Sequence, residues 1–418
     1  MNYRIFPPEE LMDTEVTLPL SKSISNRALI INALAPGAPE LEKVAHCDDT
    51  DVMIKALSSG SGTVDIGAAG TAMRFLTAYF AVQPGRKVTV TGSERMCNRP
   101  IAPLVDALRS IGADIEYLGK EGFPPLAITG KKLKGGKTTI DAGISSQYIS
   151  ALMMIAPTLD EGLQITLDGD IVSMPYIRMT AHIMAQYGIE ADIDGNVITI
   201  PHGIYAAPHS FEVEADWSAA SYWYEIQALT CGWTALRGLH ERSCQGDSAI
   251  VDLFRGLGVE TGFETDPLRA SLEASPDLNP RFNADLSSTP DVAQTFAVTC
   301  AMLGVPFRLS GLKSLRIKET DRIAALGKEL LKVGVVLETE GDEAVSWDGI
   351  RRPVTEIPVF DTYDDHRMAL AFAPVAVFVP GIVVNDAEVV TKSYPGYWDD
   401  LRAAGFTVEE YAKEEAEE

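Results

Sequence analysis

The sequence is short of positive charge. Its 418 residues include 35 lysines and arginines against 59 aspartates and glutamates, which gives a formal net charge of −24. Nucleic acid and anionic membranes bind basic surfaces, so we expect neither as a partner. A small anionic ligand remains compatible with this composition, because a local basic pocket can outweigh a distant acidic surface.

Cysteine and long apolar runs are also scarce. The five cysteines are odd in number and include no C-x-x-C pair, which argues against a disulfide framework, a cysteine metal site or a redox pair. No apolar run is long enough to span a bilayer, and the N-terminal residues lack the apolar segment of a signal peptide. We therefore expect a cytoplasmic protein with reduced thiols.

A repeated pattern indicates the fold class. An apolar helical segment runs into a glycine and then into a short strand, at intervals of 52 to 76 residues; the glycines are Gly60, Gly112, Gly188, Gly258, Gly334 and Gly405. Each glycine is predicted to be the left-handed residue that ends a helix. Short β-branched segments at 87–91, 163–167, 196–200 and 382–384 are predicted strands. Six alternating units predict an α/β protein.

Two segments are typical of crossings between domains. They lie at 17–20 and 211–216. Division there leaves three repeats on each side and predicts two domains, one of residues 21–214 and one of residues 1–20 together with 215–418.

The stretch 316–322 contains five charged residues in seven. A helix is predicted to begin near Glu319 or Thr320, which would put Lys318 and Arg322 one turn apart on one face. Two cations beside a carboxylate suit chemistry on an anion that also needs a proton moved. Taken alone, such a cluster is more often a solvated helix start.

Similar cations recur at other predicted helix starts. Helix N-termini present free N–H groups and bind anions, although serine, threonine and aspartate also cap helices routinely. The recurrence of cations in an acidic protein is what favours a ligand site for more than one phosphate or carboxylate. The cations in question are Lys22, Arg27, Arg74, Arg99, Lys318, Arg322 and Arg367.

These motifs together resemble the EPSP synthase family. They are Ser21-Lys-Ser-Ile-Ser-Asn-Arg27, Ala69-Gly-Thr-Ala-Met-Arg74, Arg99-Pro-Ile, Ser145-Ser-Gln147, Lys318-Glu-Thr-Asp-Arg322 and Asp365-His-Arg-Met368, in family order over nearly the whole chain. The resemblance implies a two-domain inside-out α/β barrel, in which each domain holds three βαβαββ repeats around a central interdomain cleft.

The resemblance also implies the reaction and its residues. The enolpyruvyl group of phosphoenolpyruvate would pass to the 5-hydroxyl of shikimate 3-phosphate, with release of phosphate and with no metal or organic cofactor; we expect a monomer. Asp291 would accept the hydroxyl proton, Glu319 would exchange a proton with the methylene carbon, and Lys22 would assist at the phosphate. Shikimate 3-phosphate would contact Lys22, Ser23, Arg27, Ser145, Ser146, Gln147, Ser173, Tyr176, Asp291, Ser314 and Lys318. Phosphoenolpyruvate would contact Lys22, Gly70, Arg99, Gln147, Arg322, Arg367 and Lys392.

Three positions depart from the family pattern. Ala68, Ser314 and Asp364 each stand where asparagine is usual. The first two substitutions remove an amide that could contact a substrate, and the third adds a negative charge near an anion site. None of them removes an implied acid, base or phosphate-binding cation.

Two alternative functions stay open at this point. The cell-wall enolpyruvyl transferase uses the same donor with UDP-N-acetylglucosamine and carries a cysteine in a glycine-rich loop before an Arg-Pro pair. Cys97 precedes Arg99-Pro100 here, but its surroundings are not glycine-rich. A non-catalytic binder of phosphorylated ligands would keep the cations, and we would expect it to lack Asp291 or Glu319.

Overall fold

The computed structural model describes residues 1–10, 12–143, 145–230 and 232–412. Its strands are β1 (Tyr3–Phe6), β2 (Asp13–Thr17), β3 (Thr63–Asp65), β4 (Lys87–Thr91), β5 (Asp114–Tyr117), β6 (Leu126–Thr129), β7 (Gly136–Asp141), β8 (Leu163–Asp168), β9 (Asp192–Asp194), β10 (Val197–Ile200), β11 (Trp233–Arg237), β12 (Leu257–Thr265), β13 (Leu268–Leu278), β14 (Phe282–Asp285), β15 (Phe307–Ser310), β16 (Glu338–Glu340), β17 (Ala344–Trp347), β18 (Val359–Phe360), β19 (Ile382–Val384) and β20 (Thr407–Glu410).

Helices alternate with these strands. The α-helices are α1 (Lys22–Leu34), α2 (Asp48–Ser58), α3 (Gly70–Ala81), α4 (Glu94–Cys97), α5 (Ala102–Ser110), α6 (Ser146–Ile155), α7 (Met174–Gln186), α8 (Trp217–Thr230), α9 (Ile250–Arg255), α10 (Ala293–Leu303), α11 (Arg322–Leu331), α12 (His366–Phe372) and α13 (Tyr397–Ala403). Short 3₁₀ helices span Ala156–Thr158, Gly246–Ala249, Pro290–Val292, Lys313–Ile317, Ala373–Val377 and Ala387–Lys392. The described part of the chain contains no helix with the length and apolar character needed to cross a membrane.

The chain forms two compact units. The first unit is Leu20–Val213, and the second unit is Met1–Pro19 together with the chain from Glu214 onward. In the second unit, β1 pairs with β19 and β20, and β2 pairs with β11. The N-terminal strands thus complete two sheets: β1 joins strands near the end of the chain, and β2 joins strands of residues 233–278.

One sheet pattern recurs in both units. The four-stranded sheets are β3-β4-β6-β5 and β7-β8-β10-β9 in the first unit, and β2-β11-β13-β12, β14-β15-β17-β16 and β18-β19-β1-β20 in the second. In each sheet the first two strands are parallel and the remaining pairings are antiparallel. One α-helix connects the parallel pair in four of the sheets, as a parallel crossover requires, whereas the connection from β2 to β11 contains the first unit and α8. The predicted α/β repeat is confirmed.

Most of the predicted helix-ending glycines have a left-handed backbone. The φ angles of Gly112, Gly188, Gly334 and Gly405 lie between 81° and 99°. Gly258 also has a left-handed φ, of 83°, but it does not end a helix. Helix α9 already ends at Arg255, and Gly258 lies within β12. The prediction is wrong for Gly60, since α2 ends at Ser58 and Ser59 continues in an extended conformation.

The core of the second unit is built on helices that are apolar on all sides. Of the fourteen residues of α8, twelve are buried, and ten of the eleven residues of α10 are buried. Helices of this kind are held by packing on every face. Trp217, Trp223 and Phe296 are among the fully buried side chains of this core.

Glu225 lies inside this apolar core. Its side chain is fully buried, and neither carboxylate oxygen has a hydrogen-bond partner among the described residues. Burial raises the pKa of Glu225 well above its usual value. The folded protein therefore holds this carboxyl group in its neutral form over a pH range in which the unfolded chain ionises it.

Glu225→Gln is expected to stabilise the second unit at about pH 8 and to have little effect near pH 4.5. The pKa of Glu225 is higher in the folded protein than in the unfolded chain. The free energy of unfolding therefore falls as the pH rises from the lower pKa toward the higher one, by at most about 1.4 kcal/mol per pH unit. Glutamine keeps the size of the side chain and cannot ionise. Urea unfolding of both proteins between these pH values measures the difference, and a difference that does not change with pH would contradict the prediction.

Candidate active site

Seven charged residues form a carboxylate–cation cluster in the second unit. They are supplied by the segments that follow β14, β15, β18 and β19, where strands lead into helices. Ligand sites of α/β proteins are built at such strand ends. The members are Asp291, Lys318, Glu319, Arg322, Asp365, Arg367 and Lys392, which carry four positive and three negative formal charges.

Arg322 lies at the centre of this cluster and is 2% exposed. Its Nε is 2.6 Å from Asp365 Oδ2, its Nη1 is 3.0 Å from Asp291 Oδ1, and its Nη2 is 2.9 Å from Glu319 Oε2. The planar guanidinium holds three carboxylates in fixed directions, which a lysine could not do. Burial lowers the pKa of Arg322, but the three carboxylates outweigh it and raise that pKa.

Asp291 is surrounded by cations. Besides Arg322, its carboxylate lies 3.0 Å from Arg367 Nη2 and 3.5 Å from Lys318 Nζ. Burial raises the pKa of Asp291, but Arg367, Lys318 and Arg322 outweigh it and hold that pKa well below the usual range. Asp291 is therefore ionised at neutral pH and can accept a hydrogen bond or a proton from a bound hydroxyl.

Glu319 bridges two cations on the other side of Arg322. Its Oε2 contacts Arg322, and its Oε1 lies 3.1 Å from Lys392 Nζ. The carboxylates of Asp291 and Glu319 are thus held on different nitrogens of one guanidinium, and each has a further cation beside it. An anion bound to these cations would have the Asp291 carboxylate on one side and the Glu319 carboxylate on another. An addition reaction in which two different atoms exchange protons requires two such groups.

One local prediction about this stretch is wrong. Helix α11 begins at Arg322, with Asp321 as its N-cap, and not at Glu319 or Thr320. The Asp321 side chain accepts a hydrogen bond from Ala324 N–H, whereas Lys318 follows the 3₁₀ helix Lys313–Ile317 in an extended conformation. Lys318 and Arg322 meet at Asp291 because the chain folds back there, not because they share a helix face.

In the first unit, the start of α1 places Lys22 and Arg27. Lys22 Nζ is 3.1 Å from Asp49 Oδ2, and both side chains are largely buried. Arg27 is 2% exposed and donates to Thr180 Oγ1 at 2.7 Å and to Ser150 Oγ at 3.1 Å. Both cations are therefore held in place before any ligand binds.

Three elements of the first unit meet beside Gly70, the first residue of α3. A Cβ placed on Gly70 would lie 2.8 Å from Arg99 Nη1 and 2.8 Å from Arg74 Nη1. Gln147 Nε2 donates to Thr71 Oγ1 at 3.1 Å, which brings the start of α6 to the start of α3. The fold thus brings together Gly70, Arg99 and Gln147, three of the predicted phosphoenolpyruvate residues, from positions far apart in sequence.

The remaining predicted residues of the first unit lie at helix starts. Ser145 is the N-cap of α6, and its side chain accepts a hydrogen bond from Gln147 N–H at 3.3 Å; Ser146 is the first residue of that helix. Ser173 precedes α7 with a left-handed φ of 58°, and Tyr176 lies in the first turn. The Tyr176 ring packs against the Arg27 guanidinium, 5.6 Å from centroid to Cζ. Ser23 lies in the first turn of α1 and accepts a hydrogen bond from Arg27 Nη1 through its carbonyl oxygen.

The departures from the family pattern have identifiable places. Ala68 lies directly before Ala69, the N-cap of α3, and Ser314 lies half-buried in the 3₁₀ helix Lys313–Ile317. Asp364 has a left-handed φ of 56°. Asparagine and aspartate both tolerate this conformation, so the backbone accepts the substitution at this position.

Sequence reasoning missed several partners of the site residues. Asp365 binds Arg322, and its Oδ1 accepts a hydrogen bond from Arg367 N–H at 3.0 Å, so one buried carboxylate holds the guanidinium of Arg322 and the backbone of Arg367. Asp247 is 3% exposed and interacts electrostatically with Asp291. Its pKa is raised to about 7, mainly by burial and to a smaller extent by the negative charge of Asp291. Asp365 had a local signal, because it stands where an N-cap is expected before Arg367. Asp247 had none.

A scan of known families identifies the class of protein. The family model of EPSP synthase (3-phosphoshikimate 1-carboxyvinyltransferase) matches residues 8–59 and 58–401. The 3-phosphoshikimate 1-carboxyvinyltransferase of Bacteroides fragilis (strain YCH46) is 51% identical over 411 residues, which cover 98% of this chain and 99% of that relative. That of Vibrio atlanticus (strain LGP32) is 37% identical over 425 residues, with 94% and 97% covered.

Solved structures give the same fold. An EPSP synthase from Acinetobacter baumannii matches with a TM-score of 0.77 at 19% identity and covers 99% of this chain and 100% of that chain. Fold and sequence thus define an enzyme of the carboxyvinyl transferase class. The chain belongs to the EPSP synthase family.

Proposed function

We infer that this enzyme transfers the enolpyruvyl group of phosphoenolpyruvate to the 5-hydroxyl of shikimate 3-phosphate, giving 5-enolpyruvylshikimate 3-phosphate and phosphate in the shikimate pathway. The observation that carries the site assignment is the pair of carboxylates, Asp291 and Glu319, held on one buried arginine among further cations. We propose that it works as a cytoplasmic monomer without nucleic acid or membrane as a partner.

The proposed roles follow the proton balance. In the addition step the 5-hydroxyl oxygen bonds to C2 of phosphoenolpyruvate and its proton passes to Asp291. C3 takes a proton from Glu319, which enters this step in its protonated form and leaves it as a carboxylate. In the elimination step C3 returns a proton to Glu319 and the bond from C2 to the phosphate oxygen breaks. The proton taken up by Asp291 passes to the departing phosphate, which Lys22 assists. Arg322, Arg367 and Lys392 hold the donor anion, and they are already paired with the carboxylates that act on it.

Residues of the first unit are proposed to hold the acceptor and part of the donor. Ser145, Ser146 and Ser173, with Lys318 of the second unit, bind the 3-phosphate, since a helix N-terminus offers N–H groups to such an anion. Ser23, Arg27, Gln147 and Tyr176 bind the ring and its hydroxyls, and Ser314 is a further candidate. Lys22, Gly70, Arg99 and Gln147 bind phosphoenolpyruvate.

A phosphate-release assay tests this function. Purified enzyme receives phosphoenolpyruvate with either shikimate 3-phosphate or UDP-N-acetylglucosamine. We expect phosphate release with shikimate 3-phosphate and none with UDP-N-acetylglucosamine. Release with the sugar nucleotide would favour the cell-wall reaction, and ligand binding without release would indicate a non-catalytic binder.

Gly70→Ala is expected to weaken inhibition by glyphosate and to raise KM for phosphoenolpyruvate. Glyphosate is an anion of similar size to phosphoenolpyruvate and should compete with it at the same cations. The added methyl would lie 2.8 Å from Arg99 Nη1, which is closer than a Cβ contact allows, so the guanidinium must move. Inhibition constants of both proteins measure the effect. Unchanged inhibition of Gly70→Ala would refute the placement of phosphoenolpyruvate beside Gly70.

A further inference from the structure

The loop from Asp361 to Asp365 is fixed to α11 at two points. At one end Asp365 binds Arg322, the first residue of the helix. At the other end the loop contacts Glu329, which lies seven residues further along α11. Seven residues are close to two turns, so Arg322 and Glu329 lie on the same face of the helix.

Glu329 is the buried anchor at the distal point. Its side chain has no exposed surface, its Oε1 accepts a hydrogen bond from Tyr363 Oη at 2.6 Å, and its Oε2 accepts one from Asp361 N–H at 3.0 Å. Lys332 Nζ lies 2.7 Å from the same Oε2, and its positive charge balances the negative charge of the Glu329 carboxylate. Tyr363 and Asp361 are thereby tied to one rigid carboxylate.

The backbone between the two anchors is strained. Tyr363 and Asp364 are consecutive residues with φ angles of 54° and 56°, in the left-handed region. Aspartate tolerates that region, but it is unusual for a bulky aromatic residue. Such a conformation persists only where surrounding contacts enforce it. The hydrogen bond from Tyr363 to Glu329 holds the strained residue itself. The Tyr363 ring also lies 5.7 Å from Lys328 Nζ, and Asp365 N–H donates to the Thr362 carbonyl across the turn.

We propose that Tyr363 and Glu329 form a positioning pair that sets the donor-binding arginines of the site, an inference that rests on the proposed function. By holding the left-handed turn, the pair fixes where Asp365 stands. Asp365 in turn orients Arg322 through its carboxylate and Arg367 through the N-cap of α12. Without the contact to Glu329 the turn relaxes, and Asp365 moves away from the positions in which it contacts both arginines.

Tyr363→Phe isolates this effect, because it removes the hydroxyl and keeps the ring. KM for phosphoenolpyruvate is expected to rise about 10-fold, in keeping with the loss of one hydrogen bond to a charged group. KM for shikimate 3-phosphate should stay within about 2-fold, because most of its proposed contacts lie in the other unit. The split between the two substrates is the readout that a purely structural role would not produce.

Tyr224→Phe is the matched control. Tyr224 lies in the same unit, and its hydroxyl is 3.0 Å from Thr261 Oγ1, with no contact to the cluster. It should lose stability without a change in either KM. If Tyr363→Phe also loses only stability, or raises both KM values equally, the positioning pair is overturned.

Glu329→Gln tests the second member and the coupling between the two. Glutamine can still accept from Tyr363, but its amide nitrogen cannot accept from Asp361 N–H. Its KM for phosphoenolpyruvate should also rise, and the double variant should fall well short of the product of the single effects. Independent, multiplicative effects would overturn the proposal. Wild-type turnover in the same assay reports on the proposed function separately, since its absence would refute the reaction and not the pair.

Discussion

Asp291→Asn is expected to lower kcat by about 10²–10⁴-fold, the range for loss of a positioned general base. Asparagine has nearly the same shape but cannot take the proton of the 5-hydroxyl. The three cations around Asp291 keep its carboxylate ionised, so the wild-type residue is ready to act throughout the neutral range. Steady-state kinetics with both substrates, and calorimetry with shikimate 3-phosphate, separate rate from binding.

Asp285→Asn provides the control for this experiment. Asp285 ends β14 only six residues earlier, and its exposed side chain accepts a hydrogen bond from Ser287 N–H. Its replacement should leave kcat unchanged. Turnover near the wild-type value in Asp291→Asn would exclude Asp291 as the proton acceptor, and loss of the fold would be visible in thermal unfolding.

Asp365→Ala is expected to have the largest effect on stability and to lower activity as well. It leaves the buried Arg322 without its closest carboxylate and α12 without its N-cap. Breaking one partner of a buried ion pair costs about 3–5 kcal/mol in unfolding free energy, and the remaining contacts of Arg322 with Asp291 and Glu319 favour the lower end. Because both donor-binding arginines lose their orientation, KM for phosphoenolpyruvate should rise at least about 100-fold.

Two further variants separate charge from capping. Asp365→Asn can still cap α12 but removes the negative charge, so it should recover part of the stability and little of the affinity. Asp321→Ala removes the N-cap of α11 at a more exposed position and should cost only about 1 kcal/mol. If Asp365→Ala were as mild as Asp321→Ala, Asp365 would be an ordinary cap and not the group that orients the arginines.

Much of the fold is encoded in short segments. Strands at 87–91 and 382–384 coincide with β4 and β19, and Ser21, Ser145 and Asp365 cap the helices that their positions predict. Such signals depend on a few adjacent residues, because a cap or a strand is set by local backbone preference. The same locality explains why the repeat of helix, glycine and strand and the order of the family motifs are visible in the sequence.

The arrangement of the active site depends instead on contacts between distant residues. Arg322 pairs with Asp365 across 43 residues, Gln147 with Thr71 across 76, and Lys22 with Asp49 across 27. No local pattern specifies these partners, since each contact arises from the packing of separate elements of the fold. The start of α11 was mispredicted for the same reason, because tertiary contacts hold Lys318 outside the helix beside Asp291.

By itself, then, the sequence determined the α/β repeat, the helix starts that carry the cations and the resemblance that names the reaction. Only the tertiary structure decided which carboxylate faces which cation and which sheets β1 and β2 complete. It alone revealed the strained turn that Glu329 and Tyr363 hold beside Asp365. The physical reason is that local propensities act within a few residues, whereas charge pairing and sheet completion depend on which surfaces the folded chain brings together.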